Sequence, residues 1–561
     1  MSGAAPEENA LRGGWWEGLP LLVPAGILLT TMWSYKGYIK DDSFISYRFA
    51  RNLAEGNGPV FNLGERVEGY TNFLWIVLTA PAFWFDADPV RWSKIMGAGF
   101  ALGAMVMVFL GARWLGGSRP SPFHYVPPLL LACSTSVALW AMSGMAPPLM
   151  LFAGTACFVF LWRALEEERR LYFILSAGAA VMASLTRPEG HMFVIVAGLA
   201  AGVVAIRRRR IPAGAWWLVG VAAAVLVPYH IWRYAYFGDL LPNTYYVKAA
   251  TGPEVYKEGW QQLGNFMGFN VNWGVGIAAL AALIPGVRRP QRALALGMCV
   301  FFMLYLVKIG RDEMKHYRLF LPVFGLYVLL AGEGLRGLCQ LWSGWQPRWM
   351  AAVPAFAVAV ALVVPSLKFT KEHRYEDRYL EMSENSFQQM GRYILEHSDE
   401  GDKAIFQDMG ACPYAGYPRH FVDPIGVVDY FVAHELAAIE LNPFLRGVKA
   451  SQPGGREAIV EFDAKVRDYL LEQDARFIGM VAYVGKRPKG NRTKFRKKFN
   501  AAMDSGDPDV VEAVLAPRLG RNSHHHGLYT DPRFEDRYHY LRTWRRNNGY
   551  YLVLFERNAR R

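Results

Sequence analysis

Two adjacent carboxylates, Asp41 and Asp42, follow the first long apolar run of the chain, residues 21–33. Charged groups so close to a hydrocarbon layer are costly, so a carboxylate pair at a membrane boundary is by default a functional-site hypothesis. The chemistry open to such a pair is proton abstraction from a reacting hydroxyl group. Aspartate at this place can equally cap the free backbone N–H groups of a following helix, and the pattern alone leaves both interpretations open.

The composition places this pair in a membrane protein. Hydrophobic residues make up 52% of the 561-residue chain and charged residues only 19%, against roughly 25% charged in soluble proteins. Long apolar runs separated by arginine-rich loops predict a polytopic α-helical membrane protein with about eleven transmembrane helices. The predicted spans are 21–33, 95–111, 125–140, 148–162, 171–185, 191–206, 216–234, 271–287, 293–307, 319–335 and 350–367.

Every second loop is basic, which predicts the orientation of these spans. The basic loops are residues 113–119, 163–170, 207–210, 288–292 and 336–348. The positive-inside rule assigns them to the cytoplasm. The intervening loops then face outward, near Ser143 and at residues 186–190, 238–260 and 308–317, together with the segment that carries Asp41 and the C-terminal tail.

Two segments of the first outward region are predicted to lie at the membrane surface. Residues 70–85 are short and contain Pro81, and a full crossing here would invert every later loop, so this segment is predicted to be re-entrant or interfacial. Residues 41–53 place Ile45, Phe49 and Leu53 on one helical face, which predicts an amphipathic interfacial helix.

The tail predicts a second domain of different character. Domain boundaries are therefore predicted at 1–367 for the transmembrane module and 368–561 for a soluble α/β domain. Helical periodicity covers residues 386–397, and short apolar runs predict strands at 404–406, 477–484 and 550–555. The three consecutive histidines, His524 to His526, are interpreted as an exposed loop.

Charge and cysteine usage restrict the partners of the chain. The formal net charge is +13, and the arginines cluster in loops between apolar segments, which favours anionic lipid or phosphate over nucleic acid. The five cysteines show no metal-ligand or disulfide spacing. We therefore expect the lipid bilayer and phosphate-bearing molecules as partners, and no nucleic acid.

Five stretches of the chain, in order, resemble one known family. They are DDSFISYRFARNLAEGNGPVFNLGERVEGYTNFLW (41–75), LTRPEGH (185–191), FGDLLPNTYYVKA (237–249), GRDEMKHYRLFLP (310–322) and AIFQDMGACPYAGYPRHFVDPIGVVDYFVAHE (404–435). Together they resemble bacterial membrane glycosyltransferases with the GT-C fold, in particular the mycobacterial terminal arabinofuranosyltransferases. All five fall in regions that the arginine pattern assigns to the outside.

The resemblance implies an activity and a location. It implies an inverting glycosyltransferase of the bacterial cytoplasmic (inner) membrane, with the active site and C-terminal domain on the outer face. The enzyme would move one sugar, arabinofuranose or another pentose, from a polyprenyl-phosphate donor to a cell-envelope glycan or glycolipid. In similar enzymes the catalytic residue is the first carboxylate after the first span, which favours Asp41 as the general base. Asp42 would then support Asp41 or bind a divalent cation, Mg²⁺ or Mn²⁺. The order of roles within the pair stays open.

A lipid phosphate leaving group needs cations to offset its growing charge. The residues predicted to bind the donor phosphate are Arg48, Arg187, Lys248 and Arg318. Each can instead snorkel or pair with an acid, and Arg187 with Glu189 and Arg318 with Asp312 are the expected pairs. The residues predicted to contact substrate are Glu68, Tyr70, Asn72, Glu189, His191, Asn243, Tyr245, Tyr246 and Asp312.

One departure from the family pattern keeps other functions open. Relatives usually carry a glutamate soon after the Ser-Gly of the stretch WAMSGMAPPL, where this chain has Ala146. Glu68 or Asp312 could replace that carboxylate. The alternative functions are a polytopic lipid or solute transporter and an outer-face binding protein that has lost catalysis.

Overall fold

The structure is a computed structural model, and it describes residues 15–116, 121–248, 253–269, 272–281, 290–310, 312, 314–342, 379–441, 449–450, 452–483, 492–519, 525–547 and 550–559. The chain divides into two compact units. The helical unit comprises Met1–Tyr38, Val90–Trp232 and Gly252–Asp377. The mixed unit comprises Ile39–Pro89, Arg233–Thr251 and Arg378–Arg561.

The helical unit is built from long apolar helices. They are Leu22–Trp33, Pro89–Gly116, Val126–Ala132, Thr135–Ala141, Pro147–Glu167, Arg170–Thr186, His191–Arg208, Trp216–Phe237, Pro253–Gly268, Asn272–Ala281, Pro290–Ile309 and Leu321–Trp342. The helix Trp216–Phe237 enters the mixed unit at Arg233.

Six helical segments in the described ranges are long and apolar enough to cross a membrane. They are Pro89–Leu115, Pro147–Glu167, Pro188–Arg208, Trp216–Phe237, Arg292–Ile309 and Arg318–Cys339. A seventh is counted if the pair Pro122–Ala132 and Thr135–Ala141, bent by 59°, is one span. The chain is thus a polytopic helical membrane protein, while the total of eleven spans stays a prediction. The predicted span 350–367 lies outside the described residues.

Small residues let two of these helices approach closely. A Cβ atom added to Gly154 would overlap the carbonyl oxygen of Pro322, and one added to Gly325 would overlap the Thr155 side chain. Glycine at such crossings lets helix backbones meet, as is common within membranes. The interior of the helical unit therefore depends on backbone proximity as well as on large side chains.

The mixed unit contains one five-stranded sheet with the order β2-β1-β3-β5-β4. Its strands are β1 (Lys403–Ile405), β2 (His420–Val422), β3 (Phe477–Tyr483), β4 (Tyr538–Asn547) and β5 (Tyr550–Arg557). β1 is parallel to β2 and β3, with Ala404 opposite Phe421 and Phe477, whereas β5 is antiparallel to β3 and β4. The apolar core of this unit lies on both sides of β3 and β5, whose side chains are almost all buried.

Helices surround this sheet. They are Tyr379–Glu384, Phe387–Glu396, Ala411–Ala415, Tyr430–Ala438, Gly455–Glu472, Arg492–Ser505, Pro508–Leu519 and Pro532–Arg537, with Asn243–Lys248 from the earlier segment. The predicted helix and the three predicted strands of the tail are each present within two residues at either end. The prediction that the histidine run is exposed is wrong for His525 and His526, which are buried, because His526 lies between the Asp463 carboxylate and the Pro424 carbonyl at 2.7 Å from each.

The first region that is predicted to face outward belongs to the mixed unit. It forms Asp41–Ala54, which we call the Asp41 helix, followed by Phe73–Thr79 and Pro81–Trp84. The last two together are about 18 Å long at 1.5 Å per residue, too short for a hydrocarbon layer of about 30 Å. By their contacts, residues 39–89 and 233–251 group with the tail. The domain boundary predicted at residue 367 had placed both segments in the transmembrane module.

The Asp41 helix is more buried than an interfacial helix would be. Its polar residues Ser46, Arg48 and Asn52 are buried along with Phe49. A helix lying on the membrane keeps its polar face in water. The predicted interfacial placement is corrected here: this helix packs into the mixed unit.

Candidate active site

Asp41 begins the Asp41 helix, and the chain after β1 closes around its carboxylate. The Asp41 Oδ1 atom accepts a hydrogen bond of 3.0 Å from the backbone N–H of Ala411. The neighbouring Gly410 approaches so closely that an added Cβ atom would overlap both Oδ2 and the carbonyl oxygen of Asp41. Only glycine at position 410 leaves room for the carboxylate, so the loop after β1 and the start of the Asp41 helix fix each other's position.

A second acid, Asp408, lies beside this carboxylate. Burial raises the pKa of Asp41 to about 7, and the charge of Asp408 raises it further than that of Asp42 does. Burial likewise raises the pKa of Asp408, with Asp42 adding to the rise and Arg546 opposing it. Two acids that share a site ionise less readily than one. Asp41 is therefore poised near neutral pH, where a general base works best.

Arg546 is a cation whose positive charge acts on both of these acids. It lowers the pKa of both Asp41 and Asp408. Its guanidinium group lies 5.0 Å from the ring centre of Tyr379, 4.9 Å from Phe387 and 4.7 Å from Tyr550. Three aromatic rings hold the guanidinium by cation–π contact, so its charge acts from a defined place.

Asp42 differs from its neighbour because its side chain is exposed. It was predicted as a support for Asp41 or as a metal ligand. In the part of the chain that the structure describes, no group of three or more His, Cys, Asp or Glu side chains is arranged to hold a metal ion.

Arg48 has a structural role, which corrects the prediction that it binds phosphate. It is fully buried, and its guanidinium donates to the carbonyl oxygens of Phe61 at 2.8 Å, Arg419 at 2.6 Å and Pro413. It also donates to Asn62 Oδ1 at 3.2 Å. Burial lowers the pKa of Arg48 to about 9, which leaves it charged at neutral pH. The N–H groups of the Arg48 guanidinium join the Asp41 helix to the chain between β1 and β2.

Two asparagines complete this junction. Asn62 pairs with the backbone of Phe421, donating to its carbonyl oxygen at 2.9 Å and accepting from its N–H at 3.1 Å. Asn52 donates to the Val60 carbonyl at 2.8 Å and accepts from the Tyr417 hydroxyl at 3.0 Å. The Asp41 helix is therefore held along its length, which fixes the direction of Asp41.

Glu68 and Asn243 are also buried, which corrects the prediction that they contact substrate. Glu68 forms an ion pair with Arg233, with an Nε to Oε2 distance of 2.7 Å, and burial raises its pKa while Arg233 lowers it. The Asn243 side-chain amide donates to the carbonyl oxygens of Gly426, Val427 and Asp429 at 2.6 to 3.2 Å. Both residues anchor the helix Asn243–Lys248 in the mixed unit.

The aromatic residues of the same segment are partly open. Tyr245 is 54% exposed, and Lys248 is exposed at the end of its helix. The Tyr246 hydroxyl donates to Asp239, whose other oxygen lies 3.0 Å from His434 Nε2. Burial raises the pKa of Tyr246 to about 12. Tyr70 is buried against Phe49, while Asn72 is partly exposed and donates to Ser46 at 2.9 Å.

The remaining predicted residues lie in the helical unit. Arg187 pairs with Glu189 there, and Arg318 pairs with both oxygens of Asp312 at 2.9 and 3.1 Å. Both ion pairs expected from the sequence are confirmed. His191 Nδ1 lies 2.9 Å from the carbonyl oxygen of Pro188. The structure thus distributes the predicted site residues over both units.

Asp408 and Arg546 are site residues that were not predicted from the sequence. Asp408 follows β1 by three residues, and β1 is parallel to both of its neighbours. Ligand sites of parallel sheets lie beyond the carboxyl ends of the strands, so an acid just after a predicted strand was a usable signal. Arg546 gives no comparable signal, because it is one of several arginines in β4.

Comparisons with known proteins agree on the fold. The structure of ArnT from Cupriavidus metallidurans bound to undecaprenyl phosphate is similar over 96% of this chain and 98% of that one, with a TM-score of 0.57 and 13% identity. The arabinofuranosyltransferase AftD from mycobacteria is similar over 97% of this chain and 40% of that one, with a TM-score of 0.51 and 15% identity. These neighbours are GT-C enzymes, so the chain has the GT-C fold.

Curated sequences point to the family that the motifs resemble. A terminal β-(1→2)-arabinofuranosyltransferase of Corynebacterium glutamicum is 29% identical over 343 residues, 52% of this chain and 47% of that protein. Its namesake in Mycobacterium tuberculosis is 32% identical over 250 residues, 41% of this chain and 38% of that protein. The predicted resemblance is confirmed. The matches span less than half the length of these relatives. Residues 374–554 match a family described as a domain of unknown function, DUF8728.

Proposed function

We propose that this protein is an inverting glycosyltransferase that moves one sugar from a polyprenyl-phosphate donor to a cell-envelope glycan or glycolipid. The observation that carries the proposal is the Asp41 carboxylate, held by Ala411 and Gly410. Its pKa is raised to about 7 by burial and by Asp408. A carboxylate in this state accepts a proton readily at neutral pH and gives it up again afterwards.

The proposed step exchanges one bond for another at the anomeric carbon. Asp41 takes the proton of an acceptor hydroxyl group as that oxygen attacks the carbon from the face opposite the phosphate. The bond between the anomeric carbon and the phosphate oxygen breaks, and its electron pair leaves with the polyprenyl phosphate. One glycosidic bond forms with inverted configuration. Arg546 offsets the negative charge of the Asp41 and Asp408 pair before the proton arrives.

The guanidinium of Arg48 is used in hydrogen bonds within the protein. The donor phosphate is therefore assigned to the other three cations predicted to bind it. Arg187, Lys248 and Arg318 stay candidates, and the first and last each carry one acid partner. Tyr245, with 54% of its surface exposed, is suited to stack on a sugar ring. A divalent cation at the exposed Asp42 stays a separate prediction, which addition of a chelator to the transfer assay would test.

The sugar, the acceptor and the membrane face are inferred from different sources. The names of the two curated relatives favour arabinofuranose. The alternating arginine-rich loops favour the cytoplasmic membrane with the Asp41 segment and the tail outside. ArnT, AftD and the two curated relatives are not named as transporters, so these similarities do not favour transport. A binding protein without catalysis is disfavoured because burial and the charge of Asp408 raise the pKa of Asp41 to about 7, as suits a general base, although position 146 is alanine.

The test is a direct transfer assay with the purified full-length protein. Polyprenyl phosphates carrying a pentofuranose, a hexose or an amino sugar are each incubated with an arabinan oligosaccharide, and mass spectrometry identifies the extended product. We expect extension by one pentose from the pentofuranose donor, and no extension by Asp41→Asn protein. The proposal would be overturned if no donor supported extension of the oligosaccharide, or if Asp41→Asn protein extended it as well as the wild-type protein does.

A further inference from the structure

Arginine residues concentrate at one end of the helical unit. The helices Pro147–Glu167 and His191–Arg208 both end at this place. Residues 163–170 and 207–210 contain seven arginines and three glutamates, which leaves an excess of four positive charges. Both stretches are among the loops that the positive-inside rule assigns to the cytoplasm. We call residues 207–210 together with Glu168 the arginine cluster.

One glutamate joins the ends of the two helices and uses two of the four arginines. Glu168 accepts from Arg208 Nη1 at 2.6 Å, and its two carboxylate oxygens accept from Arg210 at 2.7 and 2.8 Å. Arg207 and Arg209 are exposed, and neither forms an ion pair with any residue that the structure describes. Two positive charges are therefore held by an acid, and two stay open to a ligand.

Both helices end on a residue whose backbone lies in the left-handed region. The φ angle is 54° at Glu168 and 50° at Arg209. Glycine is the usual residue where a helix ends in this conformation, because a Cβ atom is strained there. The chain instead carries a charged side chain at each of the two ends, which indicates that these side chains are used.

Tryptophan residues indicate the depth of the arginine cluster in the membrane. Trp216 begins a helix long enough to span the membrane, and it is 68% exposed. The guanidinium of Arg170 lies 3.6 Å from the ring centre of Trp217, and the backbone N–H of Ala213 donates to Glu168. Tryptophan is enriched at the level of the lipid headgroups. We therefore expect the arginine cluster to lie at the level of the lipid phosphate groups.

An exposed aliphatic stripe leads away from the cluster along the helix His191–Arg208. Its members, each at least half exposed, are Ile195, Leu199, Val203 and Ile206. Residues at these spacings lie on one face of a helix, and Ile206 directly precedes Arg207. An acyl chain that lay along this stripe would bring its phosphate group to Arg207 and Arg209.

We propose that Arg207 and Arg209 bind the phosphate of an anionic phospholipid whose acyl chain lies along this stripe. The charges are complementary, because the phosphate is negative and arginine is the side chain best suited to bind it. A zwitterionic phospholipid adds a positive group that the excess positive charge of the cluster would repel. The inference does not depend on the proposed transfer reaction: its ligand is a lipid of the bilayer, and its residues lie in loops predicted to face the cytoplasm, whereas Asp41 is predicted to face outward.

Native mass spectrometry of the full-length protein in detergent tests the proposal. The protein is titrated with phosphatidylglycerol and with phosphatidylcholine that carries the same acyl chains. We expect phosphatidylglycerol to bind about 30-fold more tightly, from ~1 kcal/mol for each of the two arginines. Equal binding of the two lipids would overturn the proposal. Complete displacement of phosphatidylglycerol by an equimolar amount of polyprenyl phosphate would assign the site to the sugar donor and would overturn it as well.

Matched variants separate this site from the net charge of the protein. Arg207→Gln combined with Arg209→Gln should reduce the affinity for phosphatidylglycerol about 30-fold, to near that for phosphatidylcholine. Arg392→Gln combined with Arg456→Gln removes the same charge from exposed positions in the tail and should leave both affinities unchanged. An unchanged preference in the first variant would refute the proposal.

Glu168→Gln provides a test of opposite sign. The amide carries no negative charge, so Arg208 and Arg210 become available to the lipid. Phosphatidylglycerol should then bind more tightly than to the wild-type protein, whereas a variant that had only lost structure would bind it less well. A preference for phosphatidylglycerol that does not rise in this variant, with thermal unfolding unchanged, would contradict the proposed division of the arginines.

Discussion

Asp41 and Asp42 have identical side chains but differ in burial, and this difference predicts different roles for them. Asp41 is enclosed by the loop that carries Gly410 and Ala411, whereas Asp42 is exposed. Burial disfavours the charged form of an acid and raises its pKa. The enclosed Asp41 therefore acquires the proton affinity of a useful base.

Asp41→Asn should lower turnover by ~100-fold or more, since general-base catalysis contributes at least that much. Asparagine keeps the oxygen that accepts from the Ala411 N–H. Folding and donor binding should therefore be retained, which donor crosslinking and circular dichroism measure. Asp42→Asn is the paired control and should keep most activity. Loss of activity only in Asp42→Asn would exchange the two roles.

Asp408→Asn should shift the acid limb of the pH profile of kcat/KM to lower pH. Wild-type activity should rise as Asp41 loses its proton, near pH 7. Removing the Asp408 charge removes a cause of that raised pKa while Arg546 still lowers it. Asp41 then ionises at lower pH. A profile that does not move would show that Asp408 has no electrostatic effect on the base.

The Asp41 helix is the element whose placement decides the geometry of the site. Arg48 connects it to the backbone between β1 and β2, and Asn62, which accepts from Arg48, binds the backbone of Phe421 in β2, both over separations of 359 residues or more. These bonds join buried groups, and a buried polar group left unpaired costs about 1–3 kcal/mol. The orientation of the helix thus depends on polar contacts as much as on its apolar face.

Arg48→Lys should destabilise the protein by about 2 kcal/mol or more, because lysine cannot reach several carbonyl groups at once with a planar fork. Thermal unfolding of the detergent-purified protein measures this. The control on the same helix is Arg51→Lys, whose side chain is 37% exposed and which should change the free energy of unfolding by less than about 0.5 kcal/mol. Equal stability of both variants would contradict the role given to Arg48.

Gly410→Ala should lower kcat by about 10- to 100-fold with little loss of helical content. The added methyl group overlaps the Asp41 carboxylate and must displace it, and a shift of about 1 Å in a catalytic group can cost that much. Steady-state kinetics with the donor from the transfer assay measure the effect. Gly297→Ala, at a position with open space, is the control and should behave as wild type.

The sequence predicts elements with strong local patterns and misses long-range contacts. Residues 386–397 and the strands near 404, 477 and 550 were predicted because periodicity and apolar runs are local signals. β4 carries three arginine side chains at the sheet edge, so it gives no apolar run, and β2 was not predicted either. The burial of Arg48 and Asn243, and the approach of Asp408 to Asp41, result from contacts between distant parts of the chain.

At the scale of the whole molecule, the arginine-rich loops predict the orientation in the membrane. A cysteine placed at Glu435 should react with a membrane-impermeant maleimide added to intact cells, whereas one placed at Arg208 should react only after lysis. The five native cysteines are buried, so background labelling should be low. Reversed labelling would place the site on the cytoplasmic face and would contradict a donor used outside.

The contacts of Arg48 also determine when the candidate site can form during synthesis of the chain. The carbonyl group of Pro413 is made 365 residues after Arg48, which corresponds to roughly 20 to 70 s of translation at 5–20 residues per second. During that interval the candidate base is already outside the ribosome but lacks the loop that positions it. A nascent chain therefore holds the acid without its proton affinity or its direction, and the proposed sugar transfer would begin only when the last third of the protein has folded around it.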